Sequence, residues 1–404
     1  MLLPVGYHLT YCTNIHAGET WAAVRDNLHR YLPAIKANLS PDGPFGVGLR
    51  LSNLASTELL AGDHLAEFKA WLGDHGLYVA LLNGFPYGDF HRQVVKDDVH
   101  RPDWTTPERA AYTKRLVRIL AELLPDGMDG GISTSPLSYK PWFGPDRERV
   151  KLAFRSSTLH LAEVVEELIR VKADTGKLIH LDLEPEPDGL IENTAELIDY
   201  FGHWLLPTGR RYLSDRLGIE LVEADQAIKN HVRVCYDVCH FALAYEAPQT
   251  VFDQLEAQGI GIGRIQVSAA MKTQLPASHE ERRAIADQFA PFVESTYLHQ
   301  VGEMDADGHL TRYPDLPPAL AHLYKPEARE WRTHFHVPVF LKEYGRLQST
   351  QDEIIDVLRI ARHHRVTQHL EVETYTWEVL PPDLKLDIVA SITRELAWVV
   401  ERMK

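Results

Sequence analysis

Short apolar runs alternate with longer amphipathic stretches along almost the whole chain. The runs at 7–12, 46–51 (GVGLRL), 77–82 (LYVALL), 131–134, 177–183 (KLIHLDL), 264–269 (RIQVSA) and 368–375 (QHLEVETY) read as buried strands, as does the run that opens at Val232 (VRVCYD). Between them the pattern predicts helices over about 21–38, 64–75, 107–124, 159–175, 192–217, 248–258, 352–363 and 384–403. Pro107 opens one of these, and Gly176 follows another as a natural C-cap. A further strand-like piece lies at 333–341 (THFHVPVFL). The segment 271–332 is rich in Pro, His and Asp and poor in periodicity, and is expected to be an insertion between the seventh and eighth strands. Strands that alternate with helices predict a parallel sheet, and eight such units predict a closed (β/α)8 barrel, one domain over 1–404. The competing open, doubly wound sheet calls for a Gly-rich phosphate loop after its first strand. Residues 13–18 (TNIHAG) do not supply one.

Composition narrows the function classes. A chain of 404 residues, 45% hydrophobic and 25% charged, is that of a soluble globular protein. No apolar run approaches the roughly 18 residues of a membrane span. The first residues, MLLPVGYHLTYC, lack a basic leader and run straight into a strand pattern. Three cysteines, two of them flanking Asp237, do not make a disulfide framework, so a cytoplasmic location is expected. The net charge of −15 argues against nucleic acid as a partner, which needs a basic stripe. Of the 21 histidines, many fall on solvated faces such as 362–365 (RHHR).

Chemistry in a (β/α) barrel is placed where the strands end. The sixth strand ends in Asp237 and His240, three residues apart, which can turn toward one ion as oxygen and imidazole donors. On its own that pair reads equally as a capping Asp and a satisfied core His. The other strand ends add Asn14 and His16; Asn83, Tyr87 and His91; Ser135, Ser138 and Lys140; Glu184 and Glu186; Gln266 and Ser268; Glu371 and Glu373. His334 and His336 share one face of the piece before the last unit. Carboxylates are rarely buried unless paired or bound to metal, so acids gathered at one end of a barrel point to a cation. Glu184 precedes Pro185 and is therefore extended; its alternative is a helix-capping acid. Glu371 and Glu373 share a face, and Glu373 stands nearer the mouth; its alternative is a surface salt bridge. Gln266 is a weak ligand type that also serves as a hydrogen-bonded core residue.

The segment DVCHFALAY, Asp237 to Tyr245, resembles the Asp-x-x-His strand end of the xylose isomerase-like TIM barrels, a superfamily of sugar isomerases, epimerases and the endonuclease IV group. By position, the resemblance implies a divalent metal (Mn, Zn, Co, Mg or Fe) on Glu184, Asp237 and Glu373, with His240 a ligand or a substrate contact. The seventh-strand ligand is usually His, and Gln266 stands there. Either its amide oxygen coordinates, or His336 or His334 supplies the imidazole, or the metal has been lost. A closer similarity, over LTYCTNIHAGETW, LNGFPYGDFH, STSPLSYK, HLDLEPEPDG and HFHVPVF, is to the metabolite traffic protein EboE family. That likeness implies work in a metabolite biosynthesis or export pathway beside a prenyltransferase-type membrane protein.

The expected function is a metal-dependent isomerase or epimerase of a sugar, cyclitol or similar polyol. Glu184 and Glu373 are the expected proton-transfer carboxylates, with His240 and Lys140 contacting oxygens and Phe85, Tyr87 or Trp142 packing on a ring. The alternatives are a non-catalytic metabolite carrier that keeps the pocket, and a phosphodiesterase of the endonuclease IV type drawing on His91, His240 and His334 or His336.

Overall fold

The structure is a computed structural model and describes residues 1–89, 91, 94–376 and 387–404. Its first seven strands are β1 (His8–Tyr11), β2 (Phe45–Arg50), β3 (Leu77–Asn83), β4 (Gly130–Thr134), β5 (Ile179–Leu183), β6 (Val232–Asp237) and β7 (Ile262–Val267). There follow β8 (Met271–Gln274), β9 (Val301–Asp305), β10 (Leu310–Tyr313), β11 (Ala328–Thr333), β12 (Glu343–Tyr344) and β13 (Leu347–Ser349), and finally β14 (His369–Val372). Strands β1 to β7 and β14 form one parallel sheet in the order β1-β14-β7-β6-β5-β4-β3-β2. A parallel bridge from Cys12 to Gly48 joins its two ends. The protein is a (β/α)8 barrel, as the alternation of runs predicts.

Local signals set the outer helices. Thr20 caps Trp21–Leu39 by accepting from the Ala23 amide, and Pro107 occupies the first turn of Pro107–Leu123. Gly176, at φ 74°, ends Arg147–Thr175 in the left-handed conformation that suits glycine. That helix starts earlier than its apolar stripe suggests, because the Asp146 side chain accepts from the Glu148 and Arg149 amides. A helix the pattern did not predict, Leu221–His231, precedes β6; reciprocal bonds between Glu220 and Glu223 cap its start. The closing helix runs Ile388–Arg402, and residues 384–386 of its expected span lie outside the described residues.

The insertion is larger and more ordered than its weak periodicity suggests. Strands β8 to β13 form a second, antiparallel sheet in the order β10-β9-β11-β8-β13-β12, running to Ser349 and not ending near 332. Of the piece 333–341 only Thr333 lies in a strand, as the last residue of β11; residues 334–338 join no ladder, and 339–340 turn. After β11 ends at Thr333 the chain crosses the barrel mouth, anchored by single backbone bonds from His334 to Gln300 and from Val337 to Ala269. Phe335, Val337 and Val339 are buried in the core, which leaves the intervening histidines on the other side. The two-residue alternation therefore reports an extended chain without a ladder. Among the described residues no helix is long and apolar enough to cross a membrane.

Candidate metal centre

Side chains two apart on a strand share a face, so β5, β7 and β14 each send two polar residues to the barrel interior. Asp182, Arg264 and Glu371 form a lower layer, all fully buried. Arg264 Nε lies 3.1 Å from Asp182 Oδ2, Nη1 lies 2.7 Å from Glu371 Oε2, and Nη2 donates to the Leu82 carbonyl at 3.1 Å. Glycines make room for this layer. A Cβ on Gly48 would come within 1.6 Å of Glu371 Oε1, and one on Gly263 within 1.8 Å of Asp182 Oδ1.

Two residues further along each strand come Glu184, Gln266 and Glu373, joined by Asp237 at the end of β6. All four are buried. Gln266 Nε2 sits 3.1 Å from Glu184 Oε1 and 2.9 Å from Asp237 Oδ2, and also donates to Glu373 Oε2. An amide nitrogen carries two hydrogens, so three carboxylates exceed what it can satisfy. Turned over, the same amide would present Oε1 to a cation among the three acids. Asn14 and Asn83 hold Glu373 from the far side, their Nδ2 atoms 2.7 and 3.1 Å from Oε1. Ser268 Oγ and the His240 amide donate to Asp237 Oδ1 at 2.7 and 3.1 Å.

An imidazole reaches this group from the insertion. His336 places Nδ1 3.2 Å from Glu373 Oε2 and Nε2 4.0 Å from Asp237 Oδ2. His240 lies beside it, and Asp237, His240 and His336 bring their ligand atoms within 4.8 Å of one another. Two buried atoms here, Glu184 Oε2 and His336 Nε2, have no hydrogen-bond partner among the described residues.

The electrostatics follow from this crowding. Burial, then Glu373 and Asp237, push the Glu184 carboxyl well above its ordinary value. Burial also opposes the charged form of Asp237, but His240, His336 and the Ser268 hydroxyl outweigh it and hold that group low. For His336, burial is outweighed by Asp237 and Glu373, and its value rises. Carboxylates that must share a buried space, an amide and an imidazole make a donor set that fits a divalent cation.

The centre opens into a small, half-open pocket. Glu184, Glu373, His240 and His336 line it, while Phe85, His100, Tyr297 and Tyr375 supply aromatic walls. Six of the residues singled out from the sequence, Glu184, Asp237, His240, Gln266, His336 and Glu373, are brought together. Lys140 is not: it is absent from the cavity lining, and its Nζ pairs with Glu192 at 2.5 Å and Glu196 at 3.0 Å. The lysine at the cavity is Lys96, which sequence reasoning missed. Its Nζ donates to the Tyr297 carbonyl at 2.6 Å and lies 2.8 Å from Asp315 Oδ2, contacts set by the insertion and invisible in local pattern. Tyr87 and Trp142 also stand outside the lining; Tyr87 packs on Tyr112, and Arg101 covers Trp142 at 4.0 Å.

No family model and no curated protein matches the chain. Among solved structures it is similar to an IolI protein with a bound zinc atom, at 11% identity over 98% of this chain and 99% of that one, TM-score 0.45. It is similar to a D-tagatose 3-epimerase-like protein at 10% identity, covering 98% of each chain, TM-score 0.47. A third likeness, at 13% identity over 70% of this chain and 81% of the other, TM-score 0.37, is to the D-psicose 3-epimerase of Clostridium cellulolyticum H10, solved with D-tagatose. Likenesses at this level transfer no residue role to the chain.

Proposed function

We propose that the protein is a divalent-metal-dependent isomerase or epimerase of a small sugar, cyclitol or related polyol. One observation carries the reading: three buried carboxylates from three strand ends, Glu184, Asp237 and Glu373, converge with His336 on one point that opens into a cavity. Glu184, Asp237, Glu373 and His336 would hold the ion, with Gln266 contributing Oε1 once its amide turns. A bound divalent cation supplies Lewis acidity to a carbonyl and its neighbouring hydroxyl, which acidifies the C–H between them.

The chain's own residues account for the proton. Glu184 and Glu373 both line the cavity and both contact the same Gln266 amide, so one can accept a proton from a substrate carbon and the other return it. Burial and the neighbouring Glu373 and Asp237 raise the Glu184 carboxyl above its ordinary value, so it holds a proton more readily than a free carboxylate does. Asn14 and Asn83 fix Glu373 in one orientation. The aromatic walls exclude water and offer apolar faces to a ring. Lys140 has no part in this reading. The setting proposed with it is a metabolite pathway of the kind that the EboE-like blocks imply.

The test is metal analysis of chelator-stripped protein reloaded with Mn²⁺ or Zn²⁺, followed by NMR in D2O with a panel of ketoses, aldoses and inososes. Deuterium entering one substrate carbon, and lost in Glu184→Gln and Glu373→Gln, is the expected result. A wild-type chain that takes up neither ion refutes the proposal.

A further inference from the structure

A second cluster faces the same cavity and lies outside the ligand set just described. Glu186 comes from the Glu-Pro-Glu-Pro segment after β5, His240 from the helix Val238–Leu243 after β6, and His334 from the crossing after β11. All three are buried, and their ligand atoms lie within 4.8 Å of one another.

Hydrogen bonds behind the rings determine what faces the middle. His240 Nδ1 lies 2.9 Å from the Pro185 carbonyl, which can only accept, so Nδ1 carries the proton and Nε2 a lone pair. Gln300 Nε2 donates to the Pro187 carbonyl at 3.2 Å, which turns Gln300 Oε1 toward His334 Nδ1 at 2.9 Å. His334 Nδ1 is therefore also the donor, and its Nε2 carries a lone pair. These two Nε2 atoms are 3.1 Å apart, and Glu186 Oε2 lies 3.3 Å from that of His240. Three acceptors thus converge in a buried space. One proton shared with Glu186 would satisfy one nitrogen and leave the other facing a lone pair.

We infer that Glu186, His240 and His334 form a second divalent-cation site beside the first. Two edges, 3.1 and 3.3 Å, match a tetrahedron with metal–ligand bonds of about 2.0–2.1 Å, whose edges are about 3.3 Å; the other Glu186 oxygen, Oε1, lies 3.8 Å from His334 Nδ1. Carbonyl partners on Nδ1 that aim Nε2 are the usual support of a histidine ligand. Two imidazoles and one carboxylate suit Zn²⁺, Co²⁺, Fe²⁺ or Mn²⁺, and the cavity lies on the open side for a fourth ligand. The Glu-Pro-Glu-Pro segment serves both sites: Glu184 enters the first, Glu186 the second, and the Pro185 and Pro187 carbonyls set the two rings.

The experiment loads full-length, chelator-stripped protein with Zn²⁺, counts ions per chain, and locates them in crystals by anomalous scattering at the zinc edge. Two ions are expected in the wild type, with one anomalous peak bounded by Glu186, His240 and His334. His334→Gln and Glu186→Gln should each bind one ion, and Glu373→Gln should keep the ion at the second site; circular dichroism shows that each variant is folded. A single ion that survives His334→Gln, or two that do, overturns the second site. If that single ion is lost in Glu373→Gln and kept in His334→Gln, the proposed function stands without it. No ion at all removes both. The peak in wild-type crystals decides the matter even if a variant misfolds.

Discussion

Arg264 is the one cation in the lower layer of the barrel, and replacing it with Met isolates what that layer contributes. The side chain is fully buried, and its guanidinium bonds Asp182, Glu371 and the Leu82 carbonyl. Met fills similar space but leaves both carboxylates without their counter-charge. Asp182 keeps His180, whose Nδ1 is 2.5 Å away, whereas Glu371 already has one buried oxygen, Oε1, with no partner among the described residues. Removing one partner of a buried ion pair costs about 3–5 kcal/mol. A chain of 404 residues unfolds with an entropy of about 0.85 kcal/mol/K, so about 4 kcal/mol lowers Tm by about 5 °C. The loss should also depend on pH. Burial already raises Glu371 against the pull of Arg264, and removing Arg264 raises it further. A carboxyl whose folded value exceeds its unfolded one stabilises below about 4.3, and that stability fades as pH rises through the folded value. The deficit of Arg264→Met relative to wild type should therefore widen from pH 5 to pH 8. Scanning calorimetry at both pH values measures it, with Arg264→Met/Glu371→Gln expected to recover part of the loss. A single variant that melts within 1 °C of wild type at pH 8 would refute the reasoning.

Three further outcomes follow from the same physics. Asn14→Ala removes a donor from Glu373 and should weaken Zn²⁺ or Mn²⁺ binding about 10–100-fold in competition titrations; unchanged affinity would count against Glu373 as a ligand. Because Glu184 must lose its proton to bind an ion, affinity should rise from pH 5.5 to 8 with proton release, read by calorimetry in buffers of different ionisation heat; pH-independent binding would exclude this role. Burial holds Glu395 at about 7, against bonds from Thr374 and the Val339 amide. Its contribution to stability is full below about 4.5 and lost as pH passes 7, about 3 kcal/mol in all. Glu395→Gln should match wild type near pH 5 and exceed it at pH 8 in urea melts, and an unchanged pH slope would refute the assignment.

The barrel was legible because the inner strands, buried on both faces, are short runs dominated by apolar residues, and because many of their polar residues gather toward the strand ends. Alternation along 368–375 separates Glu371 from Glu373, and the structure puts the first against Arg264 and the second at the mouth. What failed to show locally depends on contacts distant in sequence. Nothing local to Gln266 signals that His336, 70 residues later, reaches Glu373 beside it. Lys140 and Lys96 are indistinguishable in pattern, yet Glu192 and Glu196 hold one away while the insertion holds the other at the cavity. The insertion is half solvated and built of short antiparallel strands, so it lacks the long apolar runs that mark the barrel.

The crossing that carries His334 and His336 belongs to the insertion, while the carboxylates belong to the barrel. Oxygen-only sites favour hard ions such as Mg²⁺ and Ca²⁺, and imidazoles shift preference toward zinc and its neighbours. Under the proposed function, ion choice would rest on residues carried by the insertion and the collected charge on the barrel. Replacing His334 and His336 would then retune which ion is taken while the carboxylates on the strand ends remain.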